Sequence, residues 1–263
     1  MTDLELLKPK LARLKLSGIL ETLDTRLVQA AEQHWDYTNF LTRLLSDEIE
    51  RRDAKLMTLR MGRSSLDPAK TLAAFDFSFN PRISKSALQE LARCVFIQEH
   101  RNLFFVGPSG VGKSHLAQAI GLEACLKGYD TVYRNTCELF RWLNAGRLDN
   151  SFERRFALIK GIPLLILDDF GLQALSEQQQ DDLYALIAWR HERMSTIITS
   201  NRDFKEWPMV FTNQLVGSAA MDRLIHRALR ITITGQSYRM KTFLETSRDN
   251  SFNDGLTDLL SES

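Results

Sequence analysis

Gly107-Pro108-Ser109-Gly110-Val111-Gly112-Lys113-Ser114 decides the reading of this chain. It follows the apolar run Leu103 to Val106 and precedes a helical pattern from His115 to Lys127. The spacing is GxxxxGKS, set between a strand and a helix. Small residues let the backbone curl so that successive N–H groups and the following helix N-terminus point at one anion. In that setting Lys113 is placed to reach the β- and γ-phosphates of a nucleotide, and Ser114 to ligate magnesium.

Farther along, Leu164-Leu165-Ile166-Leu167-Asp168-Asp169 is an apolar run that ends in two carboxylates. A buried strand delivers such acids at its C-terminal tip, where parallel α/β sheets place their ligands. Asp168 suits a magnesium partner acting through the ion's waters, and Asp169 suits a group that polarises attacking water. The next strand ends Ile197-Ile198-Thr199-Ser200-Asn201-Arg202, which makes Asn201 a candidate to hydrogen-bond that water or the γ-phosphate. Ser-Asn also serves as ordinary turn chemistry. In Met221 to Arg227, Arg223 and Arg227 stand four apart, a spacing that predicts one shared helix face. Either guanidinium fits another subunit's γ-phosphate or a surface salt bridge.

Five β-branched or aromatic runs recur between longer amphipathic stretches: Leu103 to Val106, Thr131 to Arg134, Leu164 to Leu167, Thr196 to Thr199 and Arg230 to Thr234. This alternation predicts an α/β fold with a five-stranded parallel sheet between helices. Residues 4–60 instead repeat apolar residues at helical spacing (Leu4, Leu7, Leu11, Leu14, Ile19, Leu20, Leu23, Leu27), with a polar break at Gln33 to Thr38. The expected organisation is a helical N-terminal domain over 1–61, a linker over 62–81, an ATPase domain over 82–243, and an acidic, disordered tail over 244–263. Within the linker, Phe75-Asp76-Phe77-Ser78-Phe79 sets three aromatics on alternate positions. That pattern suits an extended segment lying on the next domain's core edge or on an adenine pocket.

The 263 residues carry 34 basic and 33 acidic side chains, a net charge of +1, so composition gives no global sign of a nucleic-acid partner. Local charge does: residues 223–243 hold five basic side chains and no acid. Arg51, Arg52, Lys55, Arg60 and Arg63 form a second cluster, readable as a solvated helix face or a DNA contact. No basic leader or spanning apolar run is present, which predicts a cytoplasmic protein without a membrane partner. Cys94, Cys125 and Cys137 fit no CxxC pair and read as reduced thiols. The five histidines form no HxxxH or HExxH pair, which argues against a zinc site.

With these pieces in order, the chain resembles the IstB family of transposition helper ATPases, relatives of the DnaC helicase loaders within the AAA+ initiator clade. The resemblance runs from about Leu14 to Arg239. It is carried by Phe75-Asp76-Phe77, Gly107 to Ser114, Leu167-Asp168-Asp169-Phe170-Gly171, Ser200-Asn201-Arg202 with Glu206-Trp207, Asp222-Arg223-Leu224, and Gly235-Gln236-Ser237-Tyr238-Arg239. It implies an AAA+ P-loop core in which Gly107, Pro108, Ser109, Gly110, Val111, Gly112, Lys113, Ser114 and His115 bind ATP. Ser114 and Asp168 would serve Mg2+, with Asp168 and Asp169 as the Walker B pair, Asn201 as sensor I, and Arg223 as an arginine finger acting in trans. Residues Thr136 to Leu158 would form the clade's extra helical insertion, as against an ordinary crossover helix broken at Gly146.

The chain departs from the wider superfamily in having Asp-Asp where Asp-Glu is commonest, which implies slow hydrolysis stimulated by DNA or a partner. Too little sequence follows Arg239 for a full helical lid, leaving Arg239 to stand in for a lid arginine. The function implied is that of an ATP-dependent, DNA-binding regulator of transposition. It would form homo-oligomers with ATP sites at subunit interfaces, assemble on double-stranded target DNA and recruit or stimulate the element's transposase, with hydrolysis driving disassembly. The alternative is a replicative helicase loader of the DnaC type. A metabolic P-loop kinase is disfavoured by the lack of a second specificity motif.

Overall fold

In the computed structural model, residues 3–241 are described, and the chain divides after Gly62 into two compact units. The acidic stretch 244–263 lies outside the described residues.

The first unit is helical: α1 (Asp3–Arg13), α2 (Ser17–Glu32) and α3 (Tyr37–Ser64), the last running on past the unit's boundary. Its buried centre is small, made by Ile19, Leu23 and Leu44 with Leu4, Leu11, Leu16 and Phe40 packed around it. Polar contacts fix how α2 meets α3. The buried Glu48 carboxylate accepts from the N–H groups of Gly18 (2.6 Å) and Ile19 (3.3 Å) at the start of α2, where the helix dipole favours an anion. Arg26 grips Asp47 with two N–H donors, at 2.8 and 2.6 Å. Two members of the basic cluster are already engaged within this unit, Arg51 with Glu21 and Arg52 with Glu48.

The second unit carries the sheet. After α4 (Lys85–Leu91) and α5 (Val95–Gln98), the order is β1 (Leu103–Val106), α6 (Lys113–Leu126), β2 (Thr131–Asn135), α7 (Thr136–Leu148), α8 (Phe152–Gly161) and β3 (Leu164–Asp168). Next come α9 (Glu177–Arg190), β4 (Ser195–Ser200), a 3-10 helix (Phe204–Val210), α10 (Gln214–Ile225) and β5 (Leu229–Thr232). The strands form one all-parallel sheet in the order β2-β3-β4-β1-β5. Strands β1, β3 and β4 are buried at every residue, whereas β5 alternates exposure, as an edge strand does. Helices start on side-chain caps: Asn135 on α7, a Ser176/Gln179 capping box on α9, and Asn213 on α10.

Several expectations need correction. Residues 71–80 are a chain of turns, because the Asp76 carboxylate accepts from the N–H groups of Ser78 (2.9 Å) and Phe79 (3.2 Å) and curls the segment. The alternating aromatics therefore do not mark an extended run. The break between β2 and β3 falls at Asp149 to Ser151 and not at Gly146, which lies inside α7. A Cβ on Gly146 would sit 3.1 Å from Phe152 Cα, so the missing side chain lets α8 pack close against α7. Arg227 does not share a helix face with Arg223: α10 ends at Ile225, and Arg227 takes φ +54° to turn the chain into β5.

Candidate functional site

Three strand ends converge on the phosphate loop. Residues 107–112 bridge β1 to α6, and Gly110 (φ +79°) and Gly112 (φ +96°) hold left-handed conformations that favour glycine. A Cβ on Gly112 would come within 2.6 Å of the Phe75 ring, and one on Gly110 would collide with Ser237. The loop is thus enclosed from two sides. Phe75 stands edge-on to His115 (5.2 Å between ring centres), and His115 Nε2 lies 2.8 Å from the Thr71 carbonyl oxygen. On the other side, the Tyr238 N–H donates to the Gly110 carbonyl at 3.0 Å.

Lys113 opens α6 and is buried; its Nζ donates to the Pro108 carbonyl (2.7 Å) and to Asn201 Oδ1 (2.5 Å). Burial pulls its pKa below the ordinary lysine range, and Asp169 and Asp168 oppose that pull. Ser114 follows in the first turn, half-buried. Asn201 directly follows β4, paired to β1 through Val106 and Ser200, so the sheet register brings its amide to the loop.

Asp168 ends β3 with both carboxylate oxygens engaged: Tyr133 Oη donates to Oδ2 (2.7 Å) and Thr199 Oγ1 donates to Oδ1 (2.5 Å). Asp169 leaves the strand at φ +55°, a conformation costing about 1–3 kcal/mol outside glycine. It is held there by its own N–H on Thr199 Oγ1 (3.0 Å), and Asn135 Nδ2 donates to its Oδ2 at 3.3 Å. Burial and then the neighbouring Asp168 push the Asp169 pKa upward, against the pull of Lys113 and Arg239. Burial and the Asp168 carboxylate likewise raise that of Tyr133.

The oxygen-rich set of Ser114 and Asp168 beside a phosphate cradle suits a hard divalent cation such as magnesium. Sequence reading missed Tyr133, Thr199 and Asn135, each at or near the C-terminal end of a strand. A polar residue at such a position is the signal they leave. Arg239 is brought close enough for its charge to bear on both Lys113 and Asp169.

Arg223 stands apart from this group. It lies in the last turn of α10, its NH1 donating to the Ala219 carbonyl (2.9 Å) and its guanidinium 5.4 Å from the Tyr184 ring centre. The chain from α10 enters β5 at Leu229, opposite Leu103 at the start of β1, whereas the phosphate loop follows the end of β1. A four-residue strand spans about 13 Å, so Arg223 and its own loop occupy opposite ends of the sheet.

Comparison with known proteins places this arrangement. The family described as IstB-like ATP binding protein matches residues 9–246. An ATP-binding protein of insertion sequence IS21 from Pseudomonas aeruginosa is 33% identical over 241 residues, covering 92% of this chain and 90% of that protein. An insertion-sequence ATP-binding protein of Mycobacterium tuberculosis is 36% identical over 234 residues, covering 89% and 93%. Among solved structures, DnaI aligns with a TM-score of 0.56 at 24% identity over 65% of this chain and 96% of that one. The DnaC helicase loader aligns at 0.53 and 24%, over 63% and 97%. These last two bear on the fold alone, a parallel α/β core with a phosphate loop after its first strand.

Proposed function

The chain belongs to the family of IstB-like ATP-binding proteins, and from that premise we propose that it is an ATP-hydrolysing regulator of DNA transposition. The observation that carries the reading is the junction of Lys113, Asn201 and the Asp168–Asp169 pair at one end of the sheet. Backbone N–H groups of residues 107–114 would cradle the phosphates of ATP. Lys113 would exchange Pro108 and Asn201 for phosphate oxygens. Ser114 and, through the ion's waters, Asp168 would hold magnesium, which would supply charge neutralisation at those phosphates. Asp169 and Asn201 would orient the attacking water, and Arg239 would add positive charge from the segment that follows β5.

Arg223 would complete a neighbouring subunit's site. Its place at the sheet end away from its own loop supports a role in trans and, with it, a homo-oligomer with ATP at each interface. Double-stranded DNA and the element's transposase are the proposed partners, in keeping with the insertion-sequence names of the relatives. ATP would favour the assembly on DNA and hydrolysis would release it. The relatives' names favour this over helicase loading, which shares the same core.

The test is DNA binding and assembly size with ATP, with ADP and without nucleotide. ATP-dependent assembly is expected, and equal affinity and size in all three states would overturn the reading. Lys113→Ala should weaken ATP binding by about 10²–10³-fold, as expected when a buried charge partner is removed. Arg223→Ala should bind ATP normally and lose turnover by about 10³-fold, the range of a trans-acting arginine.

A further inference from the structure

We propose that His191, Glu192 and His226 form a binding site for a divalent transition-metal ion of the zinc type, one that clips the turn after α9 to the turn after α10. His191 and Glu192 come from the turn after α9 and His226 from the turn after α10, and their ligand atoms all lie within 4.8 Å of one another. The imidazole rings of His191 and His226 are 5.4 Å apart between centres, and His226 Nδ1 is 3.6 Å from Glu192 Oε1. Around tetrahedral zinc, with bonds of about 2.0–2.1 Å, ligand atoms stand roughly 3.4 Å apart. Small rotations of the exposed Glu192 and His226 side chains close that difference.

Two further features prepare the site. His191 Nδ1 lies 3.1 Å from the Arg223 carbonyl oxygen. A carbonyl only accepts, so Nδ1 carries the proton and Nε2 presents its lone pair, the outer-shell arrangement typical of metal-bound histidine. The residue before it, Arg190, is buried and donates to the carbonyls of Ile159, Ile162 and Ser195, which anchors the backbone from which His191 projects. Two imidazoles and one carboxylate favour zinc, nickel or cobalt over magnesium or calcium. The sequence argues against zinc because His191 and His226 belong to no local motif. The fold supplies the spacing instead, by ending α9 and α10 at neighbouring corners. A bound ion would stiffen the corner that carries Arg223.

The experiment is zinc titration of the full-length chain against a chromophoric chelator, with cobalt absorption as the coordination signature. His226→Asn and Glu192→Gln are the variants, since both residues are exposed. One zinc per wild-type chain is expected, with affinity at least tenfold weaker in each variant. Zinc should also slow amide exchange at residues 191–194 and 226–228. Equal zinc affinity in wild type and His226→Asn, or protection confined to segments bearing Cys94, Cys125 or Cys137, would reduce the cluster to a surface ion pair and overturn the proposal.

Discussion

Both ends of the five-stranded sheet bury polar side chains, yet they treat them in opposite ways. At the N-terminal ends of the strands the buried polar groups hold one another and the backbone. Arg190 donates to Thr196 Oγ1 and to backbone carbonyls. Asn102 bridges the Leu224 carbonyl (2.9 Å) and the Thr196 N–H (3.0 Å), and Ser195 Oγ donates to the Phe96 carbonyl (3.1 Å). At the C-terminal ends, two carboxylates stand side by side, one on a left-handed backbone, facing a lysine whose charge burial disfavours. One end is arranged for stability, and the other holds unfavourable charge where a polyanion and its counter-ion would relieve it.

That contrast can be broken. The largest effect is expected from Asp169→Asn, which should lower ATP turnover by about 10²–10⁴-fold, the usual worth of a group that activates water. Its melting temperature should nonetheless equal or exceed the wild type's. The sign follows from the raised pKa: a carboxyl that holds its proton more tightly when folded subtracts stability once ionised. The gain in the variant should therefore be present at neutral pH, fade as pH falls through the raised pKa of the folded state, and be gone below the ordinary aspartate value of 3.8. A melting temperature below wild type at neutral pH would place Asp169 among the stabilising groups.

Arg190→Met should act in reverse, costing about 3–5 kcal/mol of stability by leaving buried carbonyls unpaired, while folded molecules keep their turnover. Chemical denaturation with parallel ATPase assays separates the two, and lost turnover in fully folded protein would show that the ends are not independent. Asn102→Ala should cost less, about 1–3 kcal/mol, again without change in ATP affinity. Smallest is Tyr133→Phe, which removes one of two donors to Asp168 and should shift stability by only about 1 kcal/mol.

The functional end was the more legible of the two in the sequence. Glycine spacing around the phosphate loop and acids closing an apolar run are local patterns, and the strands β1 to β4 follow β-branched runs that need no tertiary information. What stayed hidden depends on register across the sheet. Tyr133 meets Asp168 only because β2 lies beside β3, and Thr199 meets it only because β4 lies on the other side. Arg190 reads as the last residue of an amphipathic helix until five separate acceptors gather around it. Asp76 and Arg227 show a different limit. Aromatic alternation and four-residue spacing are backbone-neutral signals, and a side-chain turn in one case and a left-handed residue in the other overrode them.

The strand order also says something about how the chain is made. Strand β1 carries the phosphate loop and comes early, but its neighbours are β4 and β5, so Phe104 waits for Ile198 and Arg230. Such distant pairing delays closure and slows folding. During synthesis β1 would lack a strand partner until β4 had left the ribosome. A product truncated before Ser195 would carry residues 107–114 without the strand that brings Asn201 to them.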